Sequence, residues 1–347
     1  MTVVTGKRAD AARQGVVIGL SAVIVSAAER ARAGGAAQME PRVFVVRGAE
    51  HALSVGMGFK GDEGDALPFG PFDPVRHGTP ELGLRSWVGD QTPITPGYVE
   101  QLYTFGSRGR YATEGDEELR VISIGYLALT HQEDGCTSEK LFWGDWYTYF
   151  PWEDWRNGKP DMIDTTMIPV LSRWAESGAD VHEKNRRRAR VNACFGIGDV
   201  AWDEEKVLER YELMYEAALM PEAVRDGRAT SLAATVPGKT MLYDHRRILA
   251  TAMGRLRGKL KYRPVVFELM PDEFTLLQLQ RTVEAIMGHG LHKQNFRRLV
   301  ENSGMVEEVQ GKKSAAAGGR PAALFRFRRD VALERSSPAM KLSSTST

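Results

Sequence analysis

Apolar positions along the first third of the chain fall in short β-like blocks, and along the last third they recur at helical spacing. VVIGLSAVIVSAA, residues 16–28, reads as two short buried strand-like runs leading into a loop at Gly34 and Gly35. MEPRVFVVRG and LRVISIGYLALT set β-branched residues between Pro, Gly and charged breakers, which predicts further strands. From 203 to 220 the period changes. Val207, Tyr211, Met214, Tyr215 and Ala218 lie on one helical face, Glu204 and Glu205 suit a first turn, and Pro221 stops the winding. A second helix is expected from Asp244 as N-cap, with Ile248, Leu249, Ala252 and Leu256 inward and Gly258 at its end. We read it as a bridge between two domains. The Ser- and Thr-rich segment 330–347 has few large apolar groups and is expected to be a disordered tail.

After Arg263-Pro264 the pattern becomes compact. Thr275-Leu276-Leu277-Gln278 fits a capping box, Leu276, Leu279, Val283 and Ile286 make one apolar stripe, and Gly288 ends the helix. After a short turn, Leu291 staples a second helix that turns Phe296, Leu299 and Val300 inward and closes at Gly304. Residues 305–310 and 324–328 read as two strands joined by the Gly-rich tip GKKSAAAGGRP. Helix, helix and hairpin in this order predict a winged helix-turn-helix. Between 261 and 329 stand twelve Lys and Arg against seven Asp and Glu. That local excess matters because the whole chain, with 46 Lys+Arg and 45 Asp+Glu, is nearly neutral. Lys293, Gln294, Asn295, Arg297 and Arg298 cover the outer face of the second helix, where Gln294, Asn295 and Arg298 would approach base edges in a major groove. Lys312, Lys313 and Arg320 on the wing would meet phosphates.

Two cysteines, Cys136 and Cys194, are too few and too distant for a zinc site or a disulfide framework. The apolar run at 16–28 follows a basic start like that of a signal peptide, yet it is too short to span a bilayer and is better explained as strand. A cytoplasmic protein without a membrane helix is expected. Gly56 to Gly61 satisfies G-x-G-x-x-G, but the turn-rich DEGDALPFGPFDP after it cannot open a helix. Gly238-Lys239-Thr240 lacks the first glycine of a Walker motif. The basic stretch 186–190 is a secondary candidate for DNA or phosphate contact.

The segments DHRRILATAMGRLRGKLKYRPVVFELMPDEFTLLQLQRTVEAIMG, NFRRLVENSGMVEE and GRPAALFRF resemble the winged-helix half of the Nudix-related transcriptional regulators of NAD metabolism. YVEQLYTFG, Arg108-Gly109-Arg110 and VISIGYLAL are similar to the Nudix part of the same family, and FPWEDWR resembles its alphaproteobacterial NadQ-type branch. The resemblance implies a dimeric repressor that binds operator DNA near NAD biosynthesis genes and senses an adenine nucleotide.

A working Nudix box needs several carboxylates on one helix to hold Mg²⁺ against a pyrophosphate. In one register Asp90 alone survives. In the other Arg85 takes the arginine position and Gly89-Asp90 the glutamate pair, while His77 replaces the upstream Glu. No metal site and no catalytic residue are expected. Activity through Glu63, Asp65, Asp73 or Glu81, as a Nudix-type ADP-ribose or NAD pyrophosphatase, is the alternative. Four of the seven tryptophans lie between Phe142 and Trp155. That stretch reads first as a hydrophobic plug or dimer contact, and second as a stacking surface for a nucleobase.

The expected fold class is therefore α+β: a Nudix-like α/β/α sandwich over 16–240, a linker helix over 241–259 and a winged helix over 260–329. Expected ligand contacts are Tyr103, Phe105, Arg108, Arg110, Trp152 and Arg156. The expected partners are double-stranded operator DNA, a nucleotide effector (NAD, ADP-ribose or ATP) and a second copy of the chain. No other cofactor is expected.

Overall fold

The computed structural model describes residues 16–30, 38–47, 64–92, 94, 96–106, 120–131, 138–314 and 321–329. The Gly56–Gly61 motif, Glu63, Arg108, Arg110, Cys136, Arg320 and the tail 330–347 lie outside them. Strands β1 (Val16–Arg30), β2 (Gln38–Arg47), β3 (Asp65–Ala66) and β4 (Phe69–Pro71) precede helix α1 (Pro80–Gln91). Then come β5 (Tyr98–Phe105), β6 (Arg120–Leu129) and β7 (Leu141–Asp145). All seven strands form one sheet, with the order β3-β2-β1-β6-β5, β4 paired to β1 and β7 paired to β2. The β1–β6 pairing is parallel, from Val16 opposite Arg120 to Val25 opposite Leu129, and the other pairings are antiparallel.

β1 is a single strand of 15 residues where the sequence suggested two runs. Ser21 does not interrupt it, because its hydroxyl is matched across the pairing by Ser123, 2.9 Å away. Period-two alternation sends Leu20, Ala22 and Ile24 to one face, where Leu84 and Val88 of α1 cover them. Val23 and Val25 face the other side with Val43, Val45, Leu127 and Leu129. There the main core is closed by α2 (Ile168–Glu176), α3 (Val181–Phe195), α4 (Val207–Glu216), α5 (Pro221–Arg225) and above all α6 (His245–Tyr262).

The predicted helix 203–220 is shorter than its apolar period. Ala218 adopts φ +56, a left-handed conformation that ends the winding before Pro221. Glu204 and Glu205 do not serve a first turn; both bind Lys261 Nζ at 2.7 Å. The expected bridge helix passes Gly258 and runs to Tyr262; a Cβ on Gly258 would stand 2.8 Å from Glu205 Oε2, so this glycine makes room for a neighbour and does not end the helix. Asp244 precedes it without a side-chain cap and pairs instead with Arg247 at 3.1 Å. Buried along most of its length, α6 is a core element shared by the sheet and the C-terminal module.

The C-terminal module contains α7 (Leu276–Met287), α8 (Lys293–Ser303), β8 (Val306–Lys313) and β9 (Ala323–Phe327). Thr275 and Gln278 form the capping box, and Gly288 and Gly304 end their helices in the left-handed conformation. The β8–β9 hairpin is held to the body by backbone hydrogen bonds between Phe274 and Phe325 in both directions, at 2.9 and 2.8 Å. Phe267 and Phe327 stack with centroids 4.1 Å apart.

Candidate nucleic-acid interface

α8 buries Phe296 and Val300 and leaves His292, Lys293, Gln294, Asn295, Arg297 and Arg298 exposed. Helical periodicity alone produces this two-sided division. Arg297 is turned back along the helix to Glu301, 3.3 Å away. Lys293, Gln294, Asn295 and Arg298 have no side-chain partner among the described residues, so their donors are free toward solvent. On the hairpin, Lys312 Nζ lies 2.6 Å from Glu273 Oε1, and Lys313 is exposed without a pair among the described residues. Arg326 is held by Glu307. A row of free donors at the start of α8, with a cationic hairpin beyond its end, can dock on duplex DNA by a helix in the groove and a wing on the backbone.

The sheet half was expected to supply a nucleotide site. α1, N-capped by Thr79, contains Glu81, Arg85 and Asp90 of the segment in which the box carboxylates were sought. Asp90 is exposed, and Glu81 binds Arg85 at 3.1 Å. Asp73 accepts the backbone N–H groups of Val75 and Arg76. The Val75 contact above all, with help from Arg76, holds its carboxyl below the usual range against the opposing effect of desolvation. Asp65, almost fully buried, receives Tyr149 Oη at 2.6 Å, Lys239 Nζ at 2.5 Å and Arg47 Nε at 3.3 Å. Among the described residues no three His, Cys, Asp or Glu side chains converge as a metal site.

Among the described residues, the expected ligand contacts Tyr103 and Phe105 meet edge to face, their ring centroids 5.5 Å apart. Tyr103 is 61% exposed on β5 while Phe105 is buried beneath Arg247, whose guanidinium lies 5.3 Å from its ring. Trp152 is fully buried and presents no face to solvent. Arg156 spends three nitrogens inside the protein, on both Asp154 carboxylate oxygens and the Met39 carbonyl.

The aromatic segment is instead an internal joint. Trp146, Tyr147, Tyr149, Phe150 and Trp152 all lie in the core, while Phe142, Trp143 and Trp155 are half-buried. Glu153 sits between Arg210, at 2.6 Å, and Arg257, at 2.7 Å, all three completely buried. Burial pushes the Glu153 carboxyl up, and the two arginines outweigh it, holding it below the ordinary range. Tyr147 Oη donates to the Ala285 carbonyl at 2.8 Å and the Trp155 N–H to the Gly288 carbonyl at 2.7 Å, both at the end of α7. The sequence signal for this joint was the tryptophan density, because indoles bury well without a ligand. The ion triad had no signal, its members being separated by up to 104 residues.

The basic stretch 186–190 lies on α3 and is largely neutralised. Arg187 binds Glu183 at 2.6 Å, Arg188 binds Glu176, and Arg190 grips both oxygens of Glu216 at 2.8 Å. Beside it a shallow cavity of about 400 Å³ is lined by Trp174, Arg187, Glu216, Gly227 and Arg228. Most of its charge is already satisfied, which leaves little to capture an anion.

Comparison with known proteins agrees with this division. Residues 266–327 match the NrtR DNA-binding winged helix domain family. The ADPR responsive transcriptional repressor NtrR of Acinetobacter baylyi is 45% identical over 87 residues, a quarter of this chain and about a third (34%) of that relative. The crystal structure of Shewanella oneidensis NrtR aligns over 91% of this chain and 95% of its own, with a TM-score of 0.50 and 17% identity. At that identity the likeness is one of fold. Residues 266–327 are thus a winged helix of the NrtR family, and the chain as a whole shares the fold of the Shewanella NrtR structure.

Proposed function

We propose that this chain is a transcriptional repressor that binds operator DNA of NAD biosynthesis genes through its winged helix. The observation that carries the reading is the unpaired row Lys293, Gln294, Asn295 and Arg298 on the exposed face of α8. The sandwich serves as a non-catalytic sensor of an adenine nucleotide. ADP-ribose is the first effector to test, because the Acinetobacter relative is named for its response to it, with NAD and ATP beside it. One winged helix reads only a short site, so a cytoplasmic homodimer presenting two modules to spaced half-sites belongs to the same proposal.

The test is selection of binding sites from a random duplex library, followed by affinity measurement with Asn295→Ala and Arg298→Ala. Loss of about 1–3 kcal/mol with relaxed preference at single base pairs is the expected result. Addition of ADP-ribose, NAD or ATP to the selected complex identifies the effector. Failure of the parent chain to enrich any site overturns the reading.

A further inference from the structure

The recognition helix is held in an unusual way. Its N-cap residue, His292, makes no side-chain capping bond, and only two of its side chains are buried. A short helix so lightly anchored needs another group to fix its pose. That group comes from α7. Glu284 Oε1 accepts the backbone N–H of Leu291 at 2.8 Å, immediately before the N-cap. Gln280, one turn earlier and mostly buried, donates through Nε2 to the same Glu284 oxygen at 2.9 Å and to the Leu291 carbonyl at 3.1 Å. Both polar groups of the Leu291 backbone are therefore gripped by two side chains spaced i, i+4 on the preceding helix.

We propose that Gln280 and Glu284 are positioning residues for DNA recognition, which set the pose of α8 by clamping the Leu291 backbone; this rests on the DNA-binding reading above. Neither residue reaches a base. Their effect is on sequence discrimination, because base-edge contacts demand a fixed helix pose while phosphate attraction tolerates a loose one.

Charge gives the test a sign. Glu284 is an anion in a DNA-binding module, so removing it for electrostatic reasons alone strengthens binding to every duplex. The experiment compares full-length parent, Glu284→Ala, Glu284→Gln and Gln280→Ala on a duplex selected by the parent and on one of unrelated sequence. Circular dichroism melting confirms folding of each variant. Glu284→Ala and Gln280→Ala are expected to lower the ratio of selected to unrelated affinity about tenfold. Glu284→Gln keeps an oxygen acceptor for the Leu291 N–H and should hold the ratio within about twofold of the parent. If Glu284→Ala binds the selected duplex as tightly as Glu284→Gln, the clamp is overturned while the DNA-binding reading stands. If the parent enriches no duplex, both fall.

Discussion

Arg257 of α6 donates through Nε to the carbonyl oxygen of Ile286, 2.9 Å away in the last turn of α7. A buried side chain of the sandwich half thus satisfies a helix end of the winged half, where carbonyls have no partner within their own helix. The same guanidinium reaches Glu153 Oε2, the Glu204 carbonyl at 2.9 Å and the Tyr147 hydroxyl at 3.2 Å. The joint between the halves is built from directional bonds as well as apolar contact.

Removing the carboxylate from that joint leaves two buried guanidiniums facing each other. Glu153→Ala is expected to cost about 3–5 kcal/mol, the range for breaking a buried ion pair from one side. Urea unfolding of parent and variant measures it. A loss below about 1 kcal/mol would mean that the triad contributes nothing beyond its desolvation cost.

Acid sensitivity has two windows. His245 is completely enclosed, and burial, followed by the charge of Arg225, brings its imidazole down to about 3. The Leu67 N–H donates to its Nδ1 at 3.1 Å, which requires the neutral ring. The unfolded chain takes up this proton near pH 6.5 and the folded chain does not, so stability is lost as pH falls below about 6.5, by up to about 1.4 kcal/mol per pH unit. Glu153, held low, adds its own loss only below about pH 4.3. Unfolding free energy measured from pH 7 to 5 should therefore be flatter in His245→Gln than in the parent; equal slopes would dismiss the histidine.

Two glycines separate backbone strain from close packing. Gly288 (φ +80) and Gly227 (φ +70) are both left-handed. A Cβ on Gly288 would stand 2.5 Å from the Glu153 carbonyl oxygen and 2.9 Å from Tyr147 Oη, whereas one on Gly227 meets nothing within 4 Å. Gly227→Ala should cost about 1 kcal/mol from the backbone alone, and Gly288→Ala about 2–5 kcal/mol. Thermal melting of the two variants checks the difference. Equal losses would show that the joint yields freely at this point.

On the wing, Glu273 occupies Lys312 in the DNA-free protein. Glu273→Gln should strengthen binding to all duplexes alike, and Lys313→Ala should weaken all of them and lower the salt slope by about 0.9. Titrations at several salt concentrations read both. A sequence-dependent effect of either change would place the wing on base edges rather than on phosphates.

The winged helix was legible in the sequence because its signals are local. Thr275 with Gln278, Gly288 and Gly304 each act within a few residues, and the structure uses all four as caps. The NrtR family match at 266–327 falls on the same segment. Local signals also marked the strands but not their extent, since Ser21 is tolerated in β1 only through a partner 102 residues away. The chemistry of the sandwich was the least legible. Trp152 and Arg156 carry the chemistry of nucleotide contacts, but Trp152 lies beneath Arg246 of α6 and Arg156 reaches the Met39 carbonyl of β2, both far away along the chain. Arg108 and Arg110, named beside them, fall outside the described residues, as does Arg320 of the wing.

The parallel pairing of β1 with β6 also fixes an order of events in folding. β1 contains the longest apolar run in the chain and is made first, yet its ten-residue parallel partner lies about a hundred residues downstream. Until residues 120–129 arrive, that edge of the most apolar strand has no partner, and closing so long a loop is slow. During synthesis the nascent chain passes through a stage with an open, sticky strand edge, the condition under which chains pair with one another. A chain made faster than these two strands can meet is therefore expected to give more aggregate, whatever the stability of the finished fold.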